Sequence, residues 1–362
     1  MTTTERDYFS KEELSAFDSA LMAQWISFGP VVFQAAKALR DMGILKAIYD
    51  TRKKGMTLTE AVKATDHSEY AVRVLLEAGL GMKLVTLGED DRYRATKVAW
   101  YILNDELTRV NMDFTHDVSY LGTFHLQEAL KEGRPAGLHV LGDWPTIYEG
   151  LSKLEPHVAK SWFDFDHFYS DGAFSDALPH LFADRPETLL DVGGNTGKFS
   201  RRAAAFDADV KITIADLPGQ VGLATKNIKE WGLEDRVRFH PVNLLDPDAQ
   251  LPKGQDAIWM SQFLCCFSED EIVSILNRCR EALSARGRIF IMDTFWDRQR
   301  SIGGAFCLQQ TSLYFTAMAN GNSQMYDSKV FVRCIERAGL AVEKMVDDLG
   351  ESHTIIRCKK AE

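Results

Sequence analysis

The chain has 362 residues, 45% hydrophobic, 26% charged and 10% aromatic, which excludes a disordered, fibrous or collagen-like protein. One catalytic domain of ordinary size leaves over roughly a hundred residues, so two domains or a large extension are expected. A formal net charge of -10 repels phosphate backbones and anionic lipid, and binding to either needs a local basic patch.

No stretch approaches the roughly 20 apolar residues of a membrane span. The N-terminal MTTTERDYFSKEEL is charged and has no apolar h-region, which reads as a cytoplasmic protein without a cleaved signal. Cys265, Cys266, Cys279, Cys307, Cys334 and Cys358 form no CxxC pair. They read as reduced thiols, and neither a disulfide frame nor a metal site is expected.

Residues 1–185 carry helical periodicity, and residues 186–362 alternate short β-branched runs with helical segments; the domain boundary is set there. Within the first part, residues 31–104 read as a winged helix. A helix runs from Val31 to Tyr49, a short one starts at Leu58, a third spans Ser68 to Gly81, and LVTLG and RYRAT flank the acidic turn Glu89-Asp90-Asp91. The literal meaning of such a layout is DNA binding. A recognition helix needs cations and amides on its exposed face, but the third helix offers Arg73 against Glu69 and Glu77. Residues 31–104 hold 12 Lys and Arg against 9 Asp and Glu, only +3, so a packing or dimerisation module is the better reading and nucleic acid is not an expected partner.

The second part contains seven strand candidates, at 188–192, 210–215, 236–242, 256–261, 288–293, 341–346 and 353–358. Long periodic segments separate the first six, the signature of a doubly wound α/β sheet. About six residues join the last two, too few for a helical crossover, so the seventh strand is expected to run antiparallel to its neighbour.

The strongest chemical signal is LLDVGGNTGKFS, Leu189 to Ser200, an apolar strand that ends in Asp191, passes through a Gly-rich turn and opens a helix. The glycines Gly193, Gly194 and Gly197 miss the GxGxxG register of a dinucleotide site. An acid two positions before the first glycine repels a pyrophosphate and suits a ligand with an ammonium group; S-adenosylmethionine has one, and no phosphate. The next strand ends in Asp216-Leu217, 25 residues after Asp191, where an acid can accept hydrogen bonds from ribose hydroxyls. The third ends in Asn243-Leu244, an amide for the adenine amino group and a side chain for its ring.

These motifs, with SWFDFDHFYS, WMSQFLCCFSEDEIVSIL, FIMDTFW and the segment FHLQEALKEGRPAGLHVLGDWPTIYEGL, resemble the class I S-adenosylmethionine-dependent small-molecule O-methyltransferases of the caffeate, hydroxyindole and carotenoid type. The resemblance covers nearly the whole chain. It implies a Rossmann-like seven-stranded sheet with an antiparallel last strand, a winged-helix domain that makes a homodimer, S-adenosylmethionine as cofactor with S-adenosylhomocysteine as product, and a small-molecule acceptor. By the same resemblance Ser261 and Gln262, after the fourth strand, join the cofactor residues. Trp162, Phe163, Asp166, Phe315 and Met318 fall in segments that line the acceptor.

The sequence departs from the family at the catalytic positions. Cys265 stands where plant-type relatives carry the general-base His and Cys266 where they carry Asp. Asp293 replaces one supporting Glu, and the other falls on or near Gln324 or Met325; Ser261 replaces a Lys and Asn243 an Asp. Cys265, Asp293 and His167 are the remaining catalytic candidates. For Cys265, passive packing is preferred over a base role, because no cation adjoins it in sequence to depress its thiol. The leading expectation is therefore O-methylation of a small aromatic or conjugated hydroxyl compound. A family member that binds the cofactor but decarboxylates or hydroxylates is the alternative, and a DNA-binding regulator comes last.

Overall fold

The computed structural model describes residues 9–361; residues 1–8 of the charged N-terminal segment read above lie outside it. The chain forms two compact units, residues 11–116 and a larger one of residues 9–10 and 117–361.

In the smaller unit, helices Gly29–Asp41 and Ile44–Asp50 replace the single helix expected over 31–49. Gly43 separates them at φ +74°, a left-handed conformation that stops the first helix and that glycine adopts without steric cost. Helices Leu58–Thr65 and Glu69–Gly81 follow, each capped as its sequence dictates: Thr57 and Glu60 exchange hydrogen bonds in a capping box, and Ser68 accepts from the amide of Ala71. Strands β1 (Val85–Leu87) and β2 (Tyr93–Ala95) pair antiparallel around the acidic turn. Leu39, Ile44, Leu45, Ile48, Val72 and Leu76 make a closed core. Arg73 on the third helix is bonded to Glu69 at 3.2 Å, and Arg94 beside the hairpin tip donates to Asp90 at 2.9 Å.

The larger unit is built on a seven-stranded sheet of β3 (Thr188–Val192), β4 (Lys211–Asp216), β5 (Val237–Pro241), β6 (Gln255–Ser261), β7 (Leu283–Asp293), β8 (Leu340–Leu349) and β9 (His353–Lys360). Their order is β5-β4-β3-β6-β7-β9-β8. The pairs among β3 to β7 are parallel, whereas β9 runs antiparallel to both β7 and β8, as the short connection predicts. Alternate strand residues feed two separate cores, as the period-two pleat requires. Leu190, Val192, Ile258, Met260, Ile289 and Ile291 face helices Glu269–Ala282 and Ser328–Arg337, while Leu189, Ile212, Ile214, Trp259 and Phe290 face Phe174–Leu181, Lys198–Phe206 and Pro218–Glu230. Burial on both faces explains why these strands read as continuous apolar runs.

Two boundaries differ from the sequence reading. β7 begins at Leu283 rather than near 288, because Leu283 pairs with Gln255 across a bulge. Residues 117–184 pack with the sheet rather than with the hairpin unit, so compactness divides the chain at 116/117, well before the 185/186 boundary set by periodicity.

Candidate active site

Strand order reverses between β3 and β6: β4 and β5 lie on one side of β3, and β6 and β7 on the other. Parallel strands diverge at such a switch point and open a crevice beyond their carboxyl ends, where ligands of open α/β sheets bind. The crevice here encloses about 420 Å³, its mouth included. It is lined by the β3 turn (Asp191, Gly193 to Thr196, Lys198), the β6 end (Ser261, Gln262) and the helix Pro156–Asp171 through Asp166, His167 and Asp171.

The turn requires its glycines. Gly193 sits at φ +72°, and a Cβ there would lie 2.3 Å from the Phe263 ring; a Cβ on Gly194 would lie 2.9 Å from Ile214 and 3.0 Å from Asp191. Gly197, at φ +81°, opens the helix Lys198–Phe206. Asn195 and Gln262 also hold positive φ, 48° and 46°. Such backbone is costly for residues with a Cβ and concentrates where a chain must present atoms to a ligand.

The polar atoms of the crevice divide into satisfied and orphaned. Asp191, 2% exposed, accepts from Ser200 Oγ at 2.6 Å; burial, reinforced by Asp216, pushes its carboxyl up to about 7. Asp171 pairs with Lys198 at 2.9 Å. Asp216 accepts from the amides of Asn195 (2.8 Å) and Leu217 (2.7 Å), with carboxylate lone pairs to spare. Among the described residues, five buried polar atoms of the crevice lining have no hydrogen-bond partner: Ser261 Oγ, Gln262 Oε1, Asn195 Oδ1, His167 Nε2 and Trp259 Nε1. Buried polar atoms are normally bonded, so a cluster of orphans around one crevice marks where a polar ligand completes the set. This fits the aminocarboxylate end of S-adenosylmethionine, a donor and an acceptor beside a cradle too tight for any Cβ.

The structure brings Asp191, Gly193, Gly194, Ser261, Gln262, Asp166 and His167 to the crevice wall. Asp216 and Leu217 stand behind it through Asn195. Asn243 is exposed and uses its Oδ1 to accept from the amide of Leu245. Leu244 is buried in the sheet core. Sequence reasoning missed Asp171 and Lys198 as crevice residues; the Thr196-Gly197-Lys198 turn carries no sign of a partner on another helix.

A second group gathers around the end of β7. Cys265 is 2% exposed, and its amide donates to Asp293 Oδ2 at 3.3 Å, while the amide of Thr294 donates to Oδ1 at 2.9 Å. Contact with the Cys266 thiol, burial and the nearby Asp293 carboxyl drive the Cys265 thiol well above its ordinary range. Burial pushes Asp293 up to about 6. Met325, where a family Glu falls, is buried with its sulfur 3.6 Å from Thr294 Oγ1. Nearby aromatic residues interlock: Trp162 Nε1 donates to Tyr314 Oη at 2.9 Å, Trp162 meets Phe163 edge-on at 5.0 Å, and Phe315 lies 5.4 Å from Tyr314. Met318 is fully buried and packs on Gly122, so it belongs to the core rather than to an open wall. His167 lies 5.8 Å from the Phe163 ring; burial, then Lys198, hold its imidazole below its usual value, hence neutral near pH 7.

Among the described residues no helix is long and apolar enough to cross a membrane. A switch-point crevice with an acid-ended first strand, a glycine cradle and no phosphate register defines the class of S-adenosylmethionine-dependent enzymes. Comparison with known proteins narrows this: residues 20–93 match the Dimerisation2-like domain and residues 175–340 the O-methyltransferase domain. The N,N-dimethyltransferase OxyT of Streptomyces rimosus is 33% identical over 73% of this chain and 76% of its own length. The L-tyrosine C(3)-methyltransferase of Streptomyces lavendulae is 24% identical over 88% of this chain and 86% of its own. The fold matches the methyltransferase SibL, in its apo form, with a TM-score of 0.70 at 21% identity, over 95% of this chain and 99% of that one. The chain belongs to the O-methyltransferase family and is an S-adenosylmethionine-dependent methyltransferase.

Proposed function

We propose that the protein transfers a methyl group to a hydroxyl of a small planar aromatic or conjugated molecule. The observation that carries this reading is the helix Pro156–Asp171, which supplies both Asp166 and His167 to the crevice and Trp162 and Phe163 to the aromatic cluster with Tyr314 and Phe315. A flat acceptor held by such rings lies beside the crevice, with its polar edge toward His167.

Bound S-adenosylmethionine supplies an electrophilic methyl group. Gly193, Gly194, Gly197 and the orphaned Ser261, Gln262 and Asn195 atoms would hold its amino-acid end, Asp191 its ammonium side, and Asp216 with Leu217 its nucleoside. His167, a neutral imidazole with an unpartnered Nε2, accepts the hydroxyl proton, a contribution of about 10²–10⁴-fold. Cys265 stays a neutral packed thiol, and Asp293 fixes the backbone of that segment. Alignment and exclusion of water supply the rest of the acceleration.

The dimerisation match, with Phe17, Ile26, Phe28 and Val31 all exposed in the smaller unit, supports a homodimer through that unit. A cytoplasmic setting, where six free thiols stay reduced, belongs to the same reading. Titration calorimetry with S-adenosylmethionine and S-adenosylhomocysteine tests the cofactor; heat of binding to both is expected, and none sinks the proposal. The loss of the family's His and both Glu positions favours a second reading, cofactor binding without methyl transfer. A labelled methyl donor offered with a panel of phenols and polyene alcohols separates the two, since labelled product at turnover rates excludes the second.

A further inference from the structure

Three acids line the crevice, and two of them have their own partners. Asp171 is paired with Lys198 at 2.9 Å, and Asp191 is held by Ser200 at 2.6 Å against the back of the glycine turn. Asp166 is the third, and no side chain or amide among the described residues donates to its carboxyl. The groups that bear on it are Asp171 on its own helix, Lys198 from the β3 turn and the protonated Tyr314 phenol from the helix Ile302–Tyr314; His167 and Asp191 share the same crevice. Asp171 and Lys198 largely cancel. Asp166 is thus left as a carboxyl with vacant lone pairs, facing a site built for a ligand whose charge changes during the reaction.

That change is one unit. S-adenosylmethionine carries an ammonium, a sulfonium and a carboxylate, net +1; loss of the methyl group leaves a thioether and a neutral zwitterion. We propose, on the basis of the cofactor reading above, that Asp166 distinguishes donor from product by charge: it gives up its proton to solvent when the cationic donor is bound and takes one back when the neutral product remains. Ionised Asp166 attracts the donor, and the same group, reprotonated, does nothing to retain the product, which favours exchange after each turnover.

The position of Asp166 on the titration scale makes this possible at working pH. Burial, with Asp171 adding and Lys198 opposing, pushes its carboxyl up to about 7, so one positive charge arriving nearby is enough to change its protonation. By linkage, a group near 7 in the free protein and two units lower in the donor complex makes donor affinity rise by up to about tenfold from pH 6 to pH 8. Asp191, also near 7 and beside the ammonium that both ligands share, adds the same pH dependence to each, so the product-to-donor ratio isolates Asp166.

Calorimetry on the full chain tests this without relying on turnover. S-adenosylmethionine and S-adenosylhomocysteine are titrated at pH 6, 7 and 8 in buffers of different ionisation enthalpy. Expected are net proton release with the donor at pH 6 and 7, less with the product, and a product-to-donor Kd ratio that climbs about three- to tenfold across the range. Asp166→Asn is expected to flatten that ratio, and His167→Gln to leave its slope in place. A wild-type ratio constant within about twofold overturns the proposal whatever the variants do. So does a slope that survives in Asp166→Asn or disappears in His167→Gln. If neither ligand binds at any pH, the cofactor reading itself falls; binding with a flat ratio removes only the role of Asp166.

Discussion

The β3/β6 crevice and the Cys265–Asp293 group occupy neighbouring strand ends of one sheet, yet they are built in opposite ways. The crevice keeps polar atoms unsatisfied and holds Gly193, Asn195, Gly197 and Gln262 at positive φ, a conformation costly for Asn195 and Gln262. The Cys265 group has satisfied its acid with two amides and turned its thiol into a buried neutral side chain. Strain and orphaned polar atoms persist only where something repays them. The comparison therefore assigns ligand chemistry to the crevice and support to the Cys265 group, although family precedent would put the base in the latter.

The hardest blow to the crevice is Gly193→Ala, which needs both a positive φ and space that Phe263 already fills. Calorimetry is expected to show at least about a hundredfold loss of cofactor affinity. Unaltered binding would mean that the cradle is mere packing. Next, His167→Ala is expected to lower kcat by about 10²–10⁴-fold with cofactor Kd nearly unchanged. A fall in affinity alone would move His167 from proton transfer to cofactor support.

Buried acids in both regions make a stability test. Asp191 sits at about 7 and Asp293 at about 6 in the folded chain, against about 4 unfolded. The native state binds the extra protons, so their stabilising effect is complete below about pH 4 and is lost progressively from there up to about pH 6 for Asp293 and about pH 7 for Asp191. Ligand-free protein should lose up to about 1.4 kcal/mol per pH unit for each group over that window. Thermal melts from pH 5 to 8 measure it; Asp191→Asn should flatten part of the slope, and a Tm that rises with pH contradicts the assignment.

Cys265→Ser is expected to cost less than about tenfold in kcat/KM, and a loss beyond a hundredfold with cofactor affinity intact would restore the thiol as a base. Smallest of all is Arg73→Ala. Its guanidinium is engaged by Glu69, so heparin retention at 0.15 M salt should be absent before and after.

Features set by neighbours in sequence were legible. The apolar runs of β3 to β9, the acid-ended turn with its glycines, and the antiparallel finish follow from residue type and spacing. The rest depends on partners far along the chain. The break at Gly43 lay inside an unbroken helical periodicity, and the start of β7 looked like a turn because Ser284, Arg286 and Gly287 hide its pairing with β6. Residues 117–184 are as helical as those before them, so periodicity could not tell which unit they join. Asp171 and Lys198 are 27 positions apart on separate elements, and only the fold makes them a pair. Asp166 and His167 were legible as candidates, but their shared crevice with Asp191 was not.

The strand order has a consequence for synthesis. β9 lies between β7 and β8 although it follows every other strand of the sheet in the chain. On the ribosome, β3 to β6 can assemble the crevice while β7 still has an open edge, and Asp293 pairs with Thr354 only after β9 emerges. A nascent chain can thus hold a cofactor-shaped cleft before the wall beside it is set, and translational pausing ahead of residue 353 would expose that edge to other strands.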